Sequence, residues 1–166
     1  DFELNIEIDQ IVQKLGTDGR LIFDTNQGIY HVNMCEKLLV LVLSKVSNFI
    51  PGGGIWMNTQ RPEWNDANNA LVGNGLSMVT LYYLRRYIIF FRDILLNIGV
   101  DTLDISNEVS DWFECLASIL KNDSLKSYFE TKDPEIRMKI IHQLGSAFSC
   151  YREKIYKNGF SGKQKI

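Results

Sequence analysis

Residues 76–98 read LSMVTLYYLRRYIIFFRDILLNI, and this run decides the fold class. Leu76, Val79, Tyr83, Tyr87, Phe90, Phe91, Ile94, Leu95 and Ile98 recur at helical spacing, which argues for one long α-helix with that face inward. Its length approaches that of a membrane span. Arg85, Arg86, Arg92 and Asp93, however, occupy its middle and second half, and a charge at the centre of a bilayer costs ~2.5–3.5 kcal/mol. The segment therefore reads as a helix buried in the core of a soluble protein. Within it, Arg85 and Arg86 read as paired or snorkelling side chains rather than phosphate ligands.

Three further helices follow from the same periodicity. Residues 34–49 carry Leu38 to Leu43 apolar on nearly every side, the pattern of a buried helix. From about Asn107 to Lys121, Val109, Trp112, Phe113, Leu116, Ile119 and Leu120 form an apolar stripe. Asp133-Pro134-Glu135 is an N-cap with proline at the first helical position. The helix it opens runs to about Lys157 with Ile136, Ile140, Leu144, Phe148, Tyr151 and Ile155 on one face, and Gly159 stops it.

The N-terminal part is less regular. Ile6, Ile8, Ile11, Val12 and Leu15 make a short helix ended by Gly16, and Thr17-Asp18-Gly19 a turn. Residues 21–23 and 29–32 then read as the two strands of a hairpin. Pro51 and Gly52-Gly53-Gly54 break the chain after the first long helix, and residues 55–75 read as a long irregular stretch. The expected class is all-α, or mainly α with a small β-hairpin near the N-terminus, built from antiparallel helical hairpins in a single domain spanning 1–166.

Composition narrows function by exclusion. With 45% apolar residues, 23% charged residues and a net charge of -2, the chain resembles a globular domain without a basic face for nucleic acid. Cys35, Cys115 and Cys150 lie far apart and are odd in number, so neither a disulfide framework nor a metal-ligand spacing is present. They read as small buried hydrophobes. His31 and His142 lack the company a zinc site needs. The Gly52–Gly54 triplet lacks the Lys-Ser or Lys-Thr of a phosphate loop. No metal, cofactor or membrane partner is expected. The chain opens at Asp1 without Met or a signal peptide, which suggests a cytoplasmic protein and a piece of a longer one.

Chemistry concentrates in residues 61–75, Arg-Pro-Glu-Trp-Asn-Asp-Ala-Asn-Asn-Ala-Leu-Val-Gly-Asn-Gly. Sugars are bound by such a set: an aromatic face stacks on the C–H side of the ring, and carboxylates and amides bond its hydroxyls. Asp66 is a candidate general acid, because the neighbouring Trp64 can raise its pKa. The bland alternative is that these Asp and Asn side chains cap and support the start of the following helix.

Glu63-Trp64-Asn65-Asp66-Ala67-Asn68-Asn69, followed by Gly73-x-Gly75-x-Ser77 and a long apolar helix, resembles the Asp-Trp-Asn-Asp-Gly-Met-Asn segment of the cellobiose phosphorylase family. Glu63 and Ala67 stand where that family has Asp and Gly, and Pro62 replaces a Gly. The resemblance implies an (α/α)6 toroid of helical hairpins, of which this chain would supply a part. It also implies an inverting glycoside phosphorylase or hydrolase acting on di- or oligosaccharides, with inorganic phosphate or water as the nucleophile. By the same likeness Asp66 would protonate the glycosidic oxygen and Trp64 would contact the sugar. Arg61, Glu63 and Asn65 would complete the substrate-binding loop. Taken alone, the chain is expected to be inactive and to self-associate over bare apolar surface unless the rest of a longer chain covers it. The competing reading is a non-catalytic helical interaction domain.

Overall fold

The computed structural model describes residues 2–23, 28–59, 73–99 and 101–166. Helix α1 (Phe2–Leu15) passes into a short 3-10 helix (Gly16–Arg20), where the sequence reads a turn. Of the N-terminal hairpin expected at 21–32, the described residues show a single antiparallel bridge, Phe23 to Ile29, with Tyr30 N–H donating to the Ile22 carbonyl at 2.8 Å. A pair of strands that short has no apolar face broad enough to hold it as a sheet.

Helix α2 (Met34–Val46) opens on Asn33, whose side chain accepts from the Glu36 amide at 2.8 Å. It ends before the expected Phe49, because residues 49–50 enter a sheet instead. Strands β1 (Phe49–Ile50), β2 (Gly54–Thr59) and β3 (Gly73–Ser77) form an antiparallel sheet in that order. The stretch read as irregular from Ile55 to Gly75 is thus strand at both ends. Gly54 sits at φ +152°, and a Cβ there would meet the Ser77 carbonyl oxygen at 2.9 Å, so the approach of β2 to β3 requires glycine.

Helix α3 (Met78–Ile98) follows β3 directly. Ser77 is its N-cap, accepting from the Thr80 amide at 3.1 Å, and Gly99 closes it at φ 64°. The long helix exists as read, and its inward face does so in part. Phe91 is buried and Tyr87, Ile94 and Leu95 are half-buried, as read, whereas Leu76, Val79, Tyr83, Phe90 and Ile98 are exposed and Leu84, outside the expected face, is buried. The side chains are apolar almost all round, so periodicity alone could not select the face; packing on α2 and β2 does.

Strand β4 (Asp104–Ser106) leads into α4 (Asn107–Lys121), then α5 (Asp123–Thr131) and α6 (Pro134–Asn158), and the chain returns as β5 (Lys163–Lys165), paired antiparallel with β4. The bounds of α4 and α6 match the sequence reading, and Asp133 caps α6 by accepting from the Glu135 amide at 2.8 Å. The main core lies between these two helices: Val109, Trp112, Leu116, Ile140 and Leu144 are buried together with Leu43, Ile105 and Tyr128. Trp112 stacks between Phe148 and Tyr151 at ring-centroid distances of 5.2 and 4.3 Å, and its Nε1–H donates to Ser47 Oγ at 3.2 Å. Phe113, assigned to the same stripe, is exposed. A second cluster, Val42, Ile55 and Leu84, joins α2, β2 and α3. Helix α2 is not buried all round: Val42 and Leu43 are inside, but Leu41 is 57% exposed. Cys115 and Cys150 are exposed rather than buried, and all three thiols are free.

The fold is therefore mostly helical, with a small antiparallel sheet in mid-chain. Among the described residues no helix is long and apolar enough to cross a membrane.

Candidate functional site

Arg61, Glu63, Trp64, Asn65 and Asp66 lie outside the described residues; the strands that carry the segment do not. Strands β2 and β3 stay in one register from Ile55 opposite Ser77 to Thr59 opposite Gly73. Thr59 and Gly73, the last described residues on either side of the segment, are thus paired with each other. These anchors lie four residues along the strands from the start of α3, roughly 14 Å at ~3.4 Å per residue.

The helix start is satisfied from within. Ser77 Oγ accepts from the Thr80 amide, and the Thr80 hydroxyl lies 2.8 Å from Ser77 Oγ and 3.2 Å from Met57 Sδ. Ser77 is therefore the N-cap of α3, serving the Thr80 amide, one of the amides that a helix start leaves open. The last serine of the Gly-x-Gly-x-Ser run accordingly has a structural role. The glycine triplet is structural too: Gly53 N–H closes the β1–β2 turn on the Ile50 carbonyl at 2.9 Å.

Sequence reasoning passed over a second polar centre, where two carboxylates are buried near the C-terminal tail. Glu36, in the first turn of α2, accepts from the backbone amide of Ser106 at 3.1 Å. Ser106 is the N-cap of α4 and makes no side-chain cap of its own, and the carboxylate from α2 serves the amide of that N-cap residue itself. The positive end of the α4 dipole favours the charge there. Glu108 accepts from the Ser161 amide at 3.0 Å, and its other oxygen is buried without a partner among the described residues. Tyr30 stacks on Phe160 at 4.7 Å, and its hydroxyl reaches Ser106 Oγ at 3.0 Å and the Gly162 carbonyl at 3.2 Å.

Burial pushes the Tyr151 hydroxyl up to about 12, with the negative charges of Glu36 and Glu108 adding to it. The Tyr30 hydroxyl is raised by burial and by the same carboxylates, against the lowering effect of its Ser106 hydrogen bond. With both acids bonded to backbone amides, the cluster ties α2, α4 and the tail together. The spacing Asn33-x-x-Glu36 is that of a capping box, which would turn Glu36 back onto the Asn33 amide, so nothing in the sequence pointed to its bond with Ser106.

Between α2, α3 and α4 lies an apolar cavity of about 630 Å³, lined by Leu39, Leu43, Phe91, Leu95 and Leu116 among others, with Arg92 and Lys121 as its charged members. Its volume falls within the ~300–1,000 Å³ of small-molecule pockets. It has none of the convergent polar groups that orient a sugar. Arg85 and Arg86 are exposed, and the Arg86 guanidinium lies over the Tyr83 ring at 5.7 Å. Among the described residues no three His, Cys, Asp or Glu side chains are grouped to hold a metal ion.

No protein-family model matches the chain, and no curated protein matches it.

Proposed function

We propose that this chain forms part of a cytoplasmic carbohydrate-active enzyme of the helical-toroid kind, cleaving the glycosidic bond of a di- or oligosaccharide. Asp66 donates a proton to the leaving sugar oxygen. Phosphate or water attacks the anomeric carbon from the opposite face, a single displacement with inversion. Trp64 stacks on the sugar ring, and Arg61, Glu63 and Asn65 bond its hydroxyls. Glu63 is too close in sequence to Asp66 to act as the opposing base.

The observation that carries this reading is the ordered polar run at 61–69 with the Gly73-x-Gly75-x-Ser77 that follows it, which resembles a sugar-handling loop and is flanked by the paired strands β2 and β3. Titrating the whole polypeptide that carries this sequence with disaccharides, while following tryptophan fluorescence, tests the proposal. Saturable binding that Trp64→Ala abolishes supports it, and no response to any disaccharide at millimolar concentration counts against it.

The second reading, a non-catalytic helical interaction domain, is favoured by one observation: the outer face of α3 carries large apolar side chains in solvent.

A further inference from the structure

We propose that a second copy of this chain docks antiparallel on the outer face of α3, about a two-fold axis passing between Ile89 and Phe90. The proposal uses none of residues 61–69 and stands on the α3 face alone.

At ~100° per residue, Met78, Val79, Tyr82, Tyr83, Ile89, Phe90 and Leu96 fall within roughly 140° of the helix circumference, opposite the face that holds Leu84 and Phe91. All seven are exposed, with Tyr82 at 62%, Tyr83 at 63%, Phe90 at 61% and Leu96 at 72%. An aromatic side chain offers ~150–250 Å², so the three aromatics alone present roughly 300–400 Å². The four aliphatic residues bring the face close to the ~800 Å² that one partner contributes to a standard interface. A bare face of this size exceeds the largest patch of an ordinary monomer, ~300–600 Å².

The charges identify the occupant. Arg86 and Asp93 are the two charged residues in the middle of this face, and each stands the same distance along the helix from the Ile89–Phe90 midpoint. In an antiparallel pair about that midpoint, residue 86 of one helix faces residue 93 of the other. Arg86 of each copy therefore meets Asp93 of its mate, twice, as an isologous interface requires. Asp93 already holds Arg92 at 2.7 Å, while Arg86 rests on Tyr83 with its charge turned to solvent. A partner of unrelated sequence has no reason to share this symmetry. A second copy has it by construction.

Sedimentation velocity of the 166-residue chain, in reducing buffer to exclude links through Cys115 and Cys150, should show a monomer–dimer equilibrium at micromolar concentration. Arg86→Glu and Asp93→Arg each place like charges opposite one another and should weaken dimerisation on the order of tenfold or more. The double variant restores opposite charges and should recover most of the wild-type affinity. Phe90→Ser, at an exposed position, should weaken the dimer without touching the charges, and circular dichroism confirms that each variant keeps its helices. A wild-type chain that stays monomeric leaves the face to another partner and overturns the proposal. A dimer indifferent to the single reversals, or a double variant that fails to recover, places the contact elsewhere and overturns it equally.

Discussion

Replacing Glu36 by alanine removes the one acceptor that the structure gives to the Ser106 amide at the start of α4. Glu36 is 1% exposed, and its carboxylate lies 3.1 Å from that amide. A hydrogen bond to a charged group contributes ~1.5–3 kcal/mol, and a charge at a helix N-terminus ~0.3–1 kcal/mol or more where partly buried. Relief of the desolvation cost of the buried charge offsets part of this, so Glu36→Ala should destabilise the fold by about 2–4 kcal/mol. Glutamine keeps the shape and an acceptor oxygen while losing the charge, so Glu36→Gln should cost only about 1 kcal/mol. Urea denaturation followed by circular dichroism measures both, and at ~2–4 °C per kcal/mol the alanine variant should melt roughly 5–15 °C lower. An alanine variant within ~0.5 kcal/mol of wild type would refute the capping argument. A glutamine variant as damaged as the alanine one would show that charge rather than geometry dominates.

Two other outcomes follow from the same geometry. The Tyr151 hydroxyl is raised to about 12 in the fold against an ordinary 10.0; the folded state therefore holds the proton more tightly, the resulting stability is complete below pH ~10, and it falls away as pH rises towards ~12. Ultraviolet titration should show a late tyrosine step that Tyr151→Phe removes; an unchanged profile contradicts the assignment. Gly54→Ala would force a Cβ to 2.9 Å from the Ser77 carbonyl oxygen at a left-handed φ, costing about 1–3 kcal/mol. Because β2 and β3 anchor residues 60–72, the same change should weaken any sugar binding; hydrogen exchange at Met57 and Leu76, together with the fluorescence titration, checks both.

Some of the fold was legible in the sequence and some was not, for identifiable reasons. Helices α4 and α6 read correctly because an apolar stripe and a boundary signal agreed: Trp112 and Leu116 in one, Asp133-Pro134 and Gly159 in the other. Helix α3 was legible as an element and only partly in orientation: Phe91 was read inward and is buried, but Tyr83 and Phe90, read on the same face, are exposed while Leu84 is buried, a choice made by the partners on α2 and β2. Strand β3 begins Gly-Asn-Gly and β5 is Lys-Gln-Lys, sequences without β-propensity that are held by the strands they pair with. Helix α5 rests mainly on Leu125 and Tyr128, too few apolar positions to make a stripe. At the candidate site, residue types and order carried the reading of 61–77, and the structure added that Ser77 is a cap. The Glu36–Glu108 cluster was missed because each acid reads as a solvated first-turn residue until α2, α4 and the tail are brought together.

The proton-donor role of Asp66 is the central functional claim, and one pair of rate ratios tests it. In the active polypeptide that carries this sequence, kcat/KM is measured for wild type and Asp66→Asn on a natural disaccharide and on a glycosyl fluoride. Asparagine keeps the shape but has no proton to donate, and general acid catalysis contributes ~10²- to 10⁴-fold. The account predicts a loss of that order on the disaccharide and a smaller one on the fluoride, whose leaving group needs less protonation. Equal losses on both substrates, or a fully active Asp66→Asn protein, would contradict it.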